Sequence, residues 1–115
     1  DTLSLDGDPL DAMVLTWEPT FPGCVIDVYL VALFDMEDYK GRDQKILCVP
    51  KNDPMWNYIE SVDQVPPHLF KEITHFFQTY KNLDKKQVKV IGWKDLETAI
   101  TVLQEAKDRC AAQKK

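Results

Sequence analysis

The sequence predicts an α+β domain of four β-strands and two α-helices, on three observations. Runs of Val, Ile, Leu and Tyr, two of them joined through a glycine-bearing loop as a hairpin would be, read as strands. Two later segments repeat apolar residues at helical spacing, and clusters of Pro and Gly punctuate the chain between these elements. At 115 residues the length suits one domain with a single core. With 44% hydrophobic and 29% charged residues, the composition is that of a folded globular protein.

The first strand is expected between Asp11 and Trp17, where Ala12-Met13-Val14-Leu15 reads as a short buried run, closed by the turn material Glu18-Pro19-Thr20-Phe21-Pro22-Gly23. Cys24 to Phe34 is a second, long strand. A polar connection, Asp35 to Asp43, carries Gly41 at a turn, and Lys45-Ile46-Leu47-Cys48-Val49 forms a third strand stopped by Pro50. This hairpin places Asp38 and Asp43 at its mouth. Residues 51–67 are irregular. Pro66-Pro67 then opens a helix whose stripe is Leu69, Ile73, Phe76, Phe77 and Tyr80. Asn82 to Lys86 is a turn, and Val88-Lys89-Val90-Ile91 a fourth strand. Asp95 caps a final helix with Leu96, Ala99, Ile100, Leu103, Ala106 and Cys110 on its buried face, and 111–115 is a fraying tail. His68 and His75 read as surface or supporting residues rather than metal ligands.

The stretch with the most chemistry is Leu5-Asp6-Gly7-Asp8-Pro9-Leu10-Asp11, three carboxylates within six residues. Like charges this close resist joint burial unless a cation neutralises them, and a hard divalent ion takes oxygen ligands of this kind. In an extended run Asp6 and Asp8 share one face and Asp11 falls on the other. Gly7 and Pro9 supply the bend that lets them converge. The same dipeptides also suit a solvated turn.

A formal charge of −5 and a pI near 4.9 argue against a nucleic-acid binder. Cys24, Cys48 and Cys110 are odd in number and widely spaced, which points to free thiols in a reducing, cytoplasmic compartment. No apolar run approaches the ~18 residues of a membrane span. The chain opens at Asp1 on its charged cluster, and the expectation is a single domain over residues 1–115 that lacks its N-terminal section.

Taken in order and spacing, the Asp6–Asp11 run, Met36-Glu37-Asp38 with Gly41-Arg42-Asp43-Gln44-Lys45, His75-Phe76-Phe77-Gln78-Thr79-Tyr80-Lys81, and Val88-Lys89-Val90-Ile91-Gly92-Trp93 resemble the family I soluble inorganic pyrophosphatases. The resemblance runs through nearly the whole chain. It implies an OB-like five-stranded β-barrel, its first strands lying upstream, with two packed helices, and Mg²⁺-dependent hydrolysis of pyrophosphate to two phosphates.

Carried over residue by residue, it implies that Asp6, Asp11 and Asp43 hold a first metal, Asp11 also serving a second, and that Asp38 and Asp43 hold a substrate-associated metal. Asp8 is then the general base on the attacking water, and Lys45, Tyr80 and Lys81 bind phosphate oxygens. The implied partners are pyrophosphate and phosphate, with no nucleic acid and no membrane. The implied assembly is a homo-oligomer, hexameric in bacteria. The sequence departs from the family in lacking the upstream lysine, arginine, glutamates and tyrosine of its active site. It departs again in Asp27-Val28-Tyr29-Leu30, where bacterial members often carry basic residues. A truncated relative that binds metal without turnover is the alternative expectation.

Overall fold

The computed structural model describes residues 1–80 and 88–113, the side chain of Tyr80 excepted. The described strands are β1 (Asp11–Val14), β2 (Val28–Asp38), β3 (Gly41–Pro50) and β4 (Lys89–Lys94), and the helices are α1 (Pro67–Tyr80) and α2 (Leu96–Gln113). One sheet runs in the order β1-β3-β2-β4, with β1 parallel to β3 and the other pairs antiparallel. Among the described residues the sheet has four strands, and β1 and β4 do not pair, so it is open rather than the closed five-stranded barrel expected.

Alternating residues of β3 serve two cores. Leu47 and Val49 face α1, packing with Leu69, Phe70 and Ile73, whereas Ile46 and Cys48 face α2, packing with Ala99, Val102 and Leu103. A sheet covered on both faces reads as an unbroken apolar run, and Ile46–Val49 and Val31–Phe34 are such runs. In β2 a bulge between Leu30 and Ala32 inserts one unpaired residue, which resets the alternation so that Leu30 and Leu33 both reach the α2 side.

Several boundaries shift. β2 begins at Val28, not Cys24, and continues to Asp38; β3 begins at Gly41 and takes in Pro50. The nine-residue polar connection is therefore mostly strand, closed by the two residues Tyr39 and Lys40 with Asp38 paired to Gly41. β1 lies at an edge and is half-exposed, so its apolar run is not fully buried. β4 extends through Gly92-Trp93 to Lys94, and α2 continues through residues 111–113 instead of fraying. On α1, Phe70 packs edge-on against Trp93 (centroids 4.6 Å apart) while Phe76 is 53% exposed, so the buried stripe is shifted round the helix from the expected one. On α2, Ile100 is exposed and Val102 packs in its place. The expected caps are present. Pro67 opens α1, and the Asp95 carboxylate accepts the Thr98 N–H at 3.0 Å and its hydroxyl at 2.7 Å. The expected turn at 82–86 lies outside the described residues.

Candidate active site

The register of the sheet determines which side chains can meet. Asp11 of β1 pairs with Lys45 of β3, Lys45 with Phe34 of β2, and Phe34 with Trp93 of β4, a single row across the α1 face. Two residues nearer the hairpin tip Asp43 pairs with Met36, and two further Gly41 pairs with Asp38. Strand alternation therefore puts Asp11, Asp38, Asp43 and Lys45 on one face at one end of the sheet. Asp38 and Asp43 are diagonal neighbours there, and the side chains of such neighbours lie within reach of one another.

Lys45 is 7% exposed, and its Nζ donates to Asp11 Oδ2 at 2.8 Å and to both Asp43 oxygens at 3.2 Å. Beneath the ammonium lies the Phe77 ring of α1, 5.2 Å to its centroid, and Phe77 packs on Phe34 at 5.4 Å. The lysine stem thus crosses an aromatic floor and delivers its charge between two carboxylates. Trp93 closes this floor, its indole N–H donating to the Thr74 hydroxyl at 3.1 Å.

The Asp6–Asp11 segment arrives as a bend. Gly7 adopts φ +90°, the Asp8 N–H donates to Asp6 Oδ1 at 3.1 Å, and the Ser4 N–H donates to the Asp8 carbonyl at 2.7 Å. A side chain at Gly7 would be strained in this conformation. The segment is not a loose end, since Leu3 donates its N–H to the Ala106 carbonyl of α2 at 3.0 Å and Leu10 donates to Thr2 Oγ1 at 3.0 Å. At the hairpin tip Lys40 donates its N–H to Asp38 Oδ1 at 2.9 Å, and its ammonium donates to Asp8 Oδ2 at 3.3 Å. Asp8, by hydrogen bond and by charge, pushes the Lys40 pKa above its ordinary value. The acidic bend and the hairpin tip are therefore on the same side of the molecule.

Asp43 is buried, and the cost of burial is the main reason its carboxyl pKa is pushed up. Lys45 opposes the shift, while the negative charges of Asp6 and Asp11 add to it. Asp6, Asp11 and Asp43 thus share one electrostatic neighbourhood, which among the described residues holds more acid than base. The donors there are carboxylate oxygens, the type a hard dication takes, so the residues present fit such an ion in kind. As arranged, Asp11 and Asp43 are turned onto Lys45, and no group of three or more His, Cys, Asp or Glu among the described residues is gathered closely enough to hold an ion.

Of the residues expected from sequence, the structure joins Asp11 and Asp43 through Lys45 and sets Asp6, Asp8 and Asp38 on the same side of the molecule. Tyr80 is the last residue of α1, but its side chain and the whole of Lys81 lie outside the described residues. His68 and His75 are exposed, and His68 lies 3.1 Å from Glu72 one turn along α1. Sequence reasoning missed Lys40, whose reach to Asp8 across 32 positions depends on the tight turn. It also missed the aromatic floor of Phe34, Phe77 and Trp93. Trp93 and Phe34 pair only once the β2–β4 register is known.

The family model described as inorganic pyrophosphatase matches residues 1–111. The chain belongs to the inorganic pyrophosphatase family. An inorganic pyrophosphatase of Methanosarcina mazei is 75% identical over 115 residues, covering 100% of this chain and 68% of that relative. Among solved structures, the inorganic pyrophosphatase of Thermus thermophilus superposes with a TM-score of 0.88 at 42% identity, over 94% of this chain and 64% of that one. An N-terminally truncated vacuolar soluble pyrophosphatase of Trypanosoma cruzi, solved in complex with PPi, gives a TM-score of 0.87 at 25% identity, over 95% of this chain and 44% of that one. The chain thus spans about two thirds of the length of the first two of these family members. No helix among the described residues is long and apolar enough to cross a membrane.

Proposed function

We propose that this protein hydrolyses inorganic pyrophosphate to two phosphates with Mg²⁺ as cofactor, working in the cytoplasm as a homo-oligomer. The observation that carries the reading is the family match over residues 1–111. The pyrophosphate held by the similar T. cruzi enzyme supports the substrate, and three free cysteines support the compartment. In this reading residues 1–115 belong to a single pyrophosphatase domain, and the four strands are part of a five-stranded OB-type barrel.

Attack on pyrophosphate is slow because an anionic substrate repels an anionic nucleophile. Mg²⁺ supplies charge neutralisation and a lower pKa for the attacking water. The protein's part is to hold and to move protons. Asp6, Asp11 and Asp43 would hold the cation at the end of the sheet, Asp11 would also serve a second, and Asp38 with Asp43 would hold a substrate-associated one. Asp8 lies on the adjacent bend, exposed on its side chain and in reach of the same space, and accepts the proton of the attacking water at a carboxylate oxygen. That assistance is worth about 10²–10⁴-fold. Lys45 would offer its ammonium to phosphate oxygens, and Tyr80 and Lys81 would add a phenolic donor and a second charge.

The test is phosphate release from pyrophosphate by the purified protein, with and without Mg²⁺. Mg²⁺-dependent release that falls by about 10²–10⁴-fold in Asp8→Asn is the expected result. Cation binding without any release would overturn the enzymatic reading in favour of a metal-binding relative.

A further inference from the structure

The reverse face of the same hairpin carries a second buried charge that the proposed chemistry does not use. Asp35 lies in the middle of β2 and is 0% exposed. On β3 Arg42 meets it in a fork, its Nε donating to Asp35 Oδ1 at 3.0 Å and its Nη2 to Asp35 Oδ2. In the ladder Asp35 pairs with Gln44 and Glu37 with Arg42, so the ion pair runs diagonally between neighbouring rungs. On the other side Asp35 pairs with Gly92, which brings no side chain, and the β2–β4 ladder is bulged between Asp35 and Met36. A bulge loosens a ladder and lets the strand twist. The fork spans the stretch of hairpin just past that irregular point.

We propose that Asp35 and Arg42 are a positioning pair: their fork fixes the twist of the hairpin from behind, and so sets where Asp38 and Asp43 stand in front. The argument is geometric. Asp43 is the next residue after Arg42, and adjacent strand residues point to opposite faces, so a rotation of the strand that moved Arg42 would swing Asp43 with it. A bidentate guanidinium–carboxylate contact fixes direction as well as distance, which a single bond from a lysine does not. Burial of Asp35 makes the pairing obligatory, because an unpaired carboxylate there has no water to turn to.

The consequence for metal rests on the pyrophosphatase reading; the effect on the hairpin does not. Two variants separate positioning from stability. Arg42→Met deletes the charge and leaves Asp35 unpaired. Asp35→Leu with Arg42→Met deletes both charges and strands neither. In both, amide hydrogen exchange at residues 38–43 is expected to rise about tenfold or more, with no change at Leu33 and Leu47 in the double variant. In both, the Mg²⁺ concentration for half-maximal phosphate release should rise about tenfold. At saturating Mg²⁺, kcat in the double variant should stay within about twofold of the parent.

Unchanged exchange at the tip of the double variant would overturn the proposal. So would a double variant with the parent's Mg²⁺ dependence, because the pair would then act on stability alone. A parent protein that releases no phosphate would overturn the functional reading, and the exchange measurement would still decide the role of the pair.

Discussion

The two faces of the β2–β3 hairpin both bury charge, and they balance it differently. Behind, one arginine meets one carboxylate in a closed fork, Arg42 on Asp35. In front, among the described residues, Lys45 meets both Asp11 and Asp43 while Asp6 adds its negative charge to the same neighbourhood. The balanced pair has no reason to recruit anything. Among the described residues the front cluster has surplus acid held close by the fold, and further positive charge is what would relieve it. The difference suggests a way to tell structural from reactive charge in one small sheet: count whether each buried group is matched on its own face.

The largest effects should come from the surplus acids. Asp43→Asn and Asp8→Asn are expected to lower phosphate release by about 10²–10⁴-fold, with melting temperature little changed for the exposed Asp8. Equal loss of activity in Gln44→Ala, on the rear face, would break the distinction between the faces.

Next is Lys45→Met, which takes the ammonium away from Asp43 at a side-chain exposure of only 9%. Breaking a buried pair from one side costs about 3–5 kcal/mol, read as a lower midpoint in urea. Replacing both rear charges, Asp35→Leu with Arg42→Met, should be close to neutral by the same measurement, because no charge is stranded. If the rear replacement proved the more damaging of the two, the contrast would fail.

The smallest effect is away from both faces, at the α2 cap. Hydrogen bonds from Thr98 hold the Asp95 carboxyl below the usual carboxylate range. A depressed folded pKa stabilises above the unfolded value, near about 4, and that stability is lost as pH falls through the folded value. Asp95→Ala should therefore melt lower than the parent at pH 7, and the two melting curves should converge below about pH 4. A gap that persisted in acid would mean that the cap acts through something other than charge. Cys48 offers a companion measurement: burial pushes its thiol up to about 11, so it should resist alkylation at pH 8 while the half-exposed Cys24 and Cys110 react.

Much of this architecture is written locally. Proline at the start of α1 and Asp95 before α2 mark the helix starts, because capping involves only neighbours in the chain. The acidic bend is legible for the same reason, Gly7 being the residue that tolerates φ +90°. The hairpin was legible as a pattern, but its tightness was not. Asp35, Glu37, Arg42 and Asp43 look like loop residues, since polar character suggests solvent. Only pairing across the strands reveals that Asp35 and Asp43 are buried beside cations.

The bulge at Val31 is likewise silent in sequence, and it decides which residues of β2 face each helix. Phe76 fits the helical repeat as well as Phe70 does, and the choice between them is made by Trp93, 23 residues beyond Phe70 along the chain. The convergence of Asp11 with Asp43 depends on β1 lying parallel to β3, a long-range pairing that no local signal encodes.

The central claim is that Asp6, Asp11 and Asp43 hold a dication at the front of the hairpin. Crystals of the protein soaked in Mn²⁺, with anomalous scattering to locate the ion, test it most directly. The account predicts a peak bonded to carboxylate oxygens of these three residues, with the Lys45 ammonium displaced from Asp11 and Asp43. A peak elsewhere, or Lys45 still seated between the two carboxylates at saturating Mn²⁺, would contradict it.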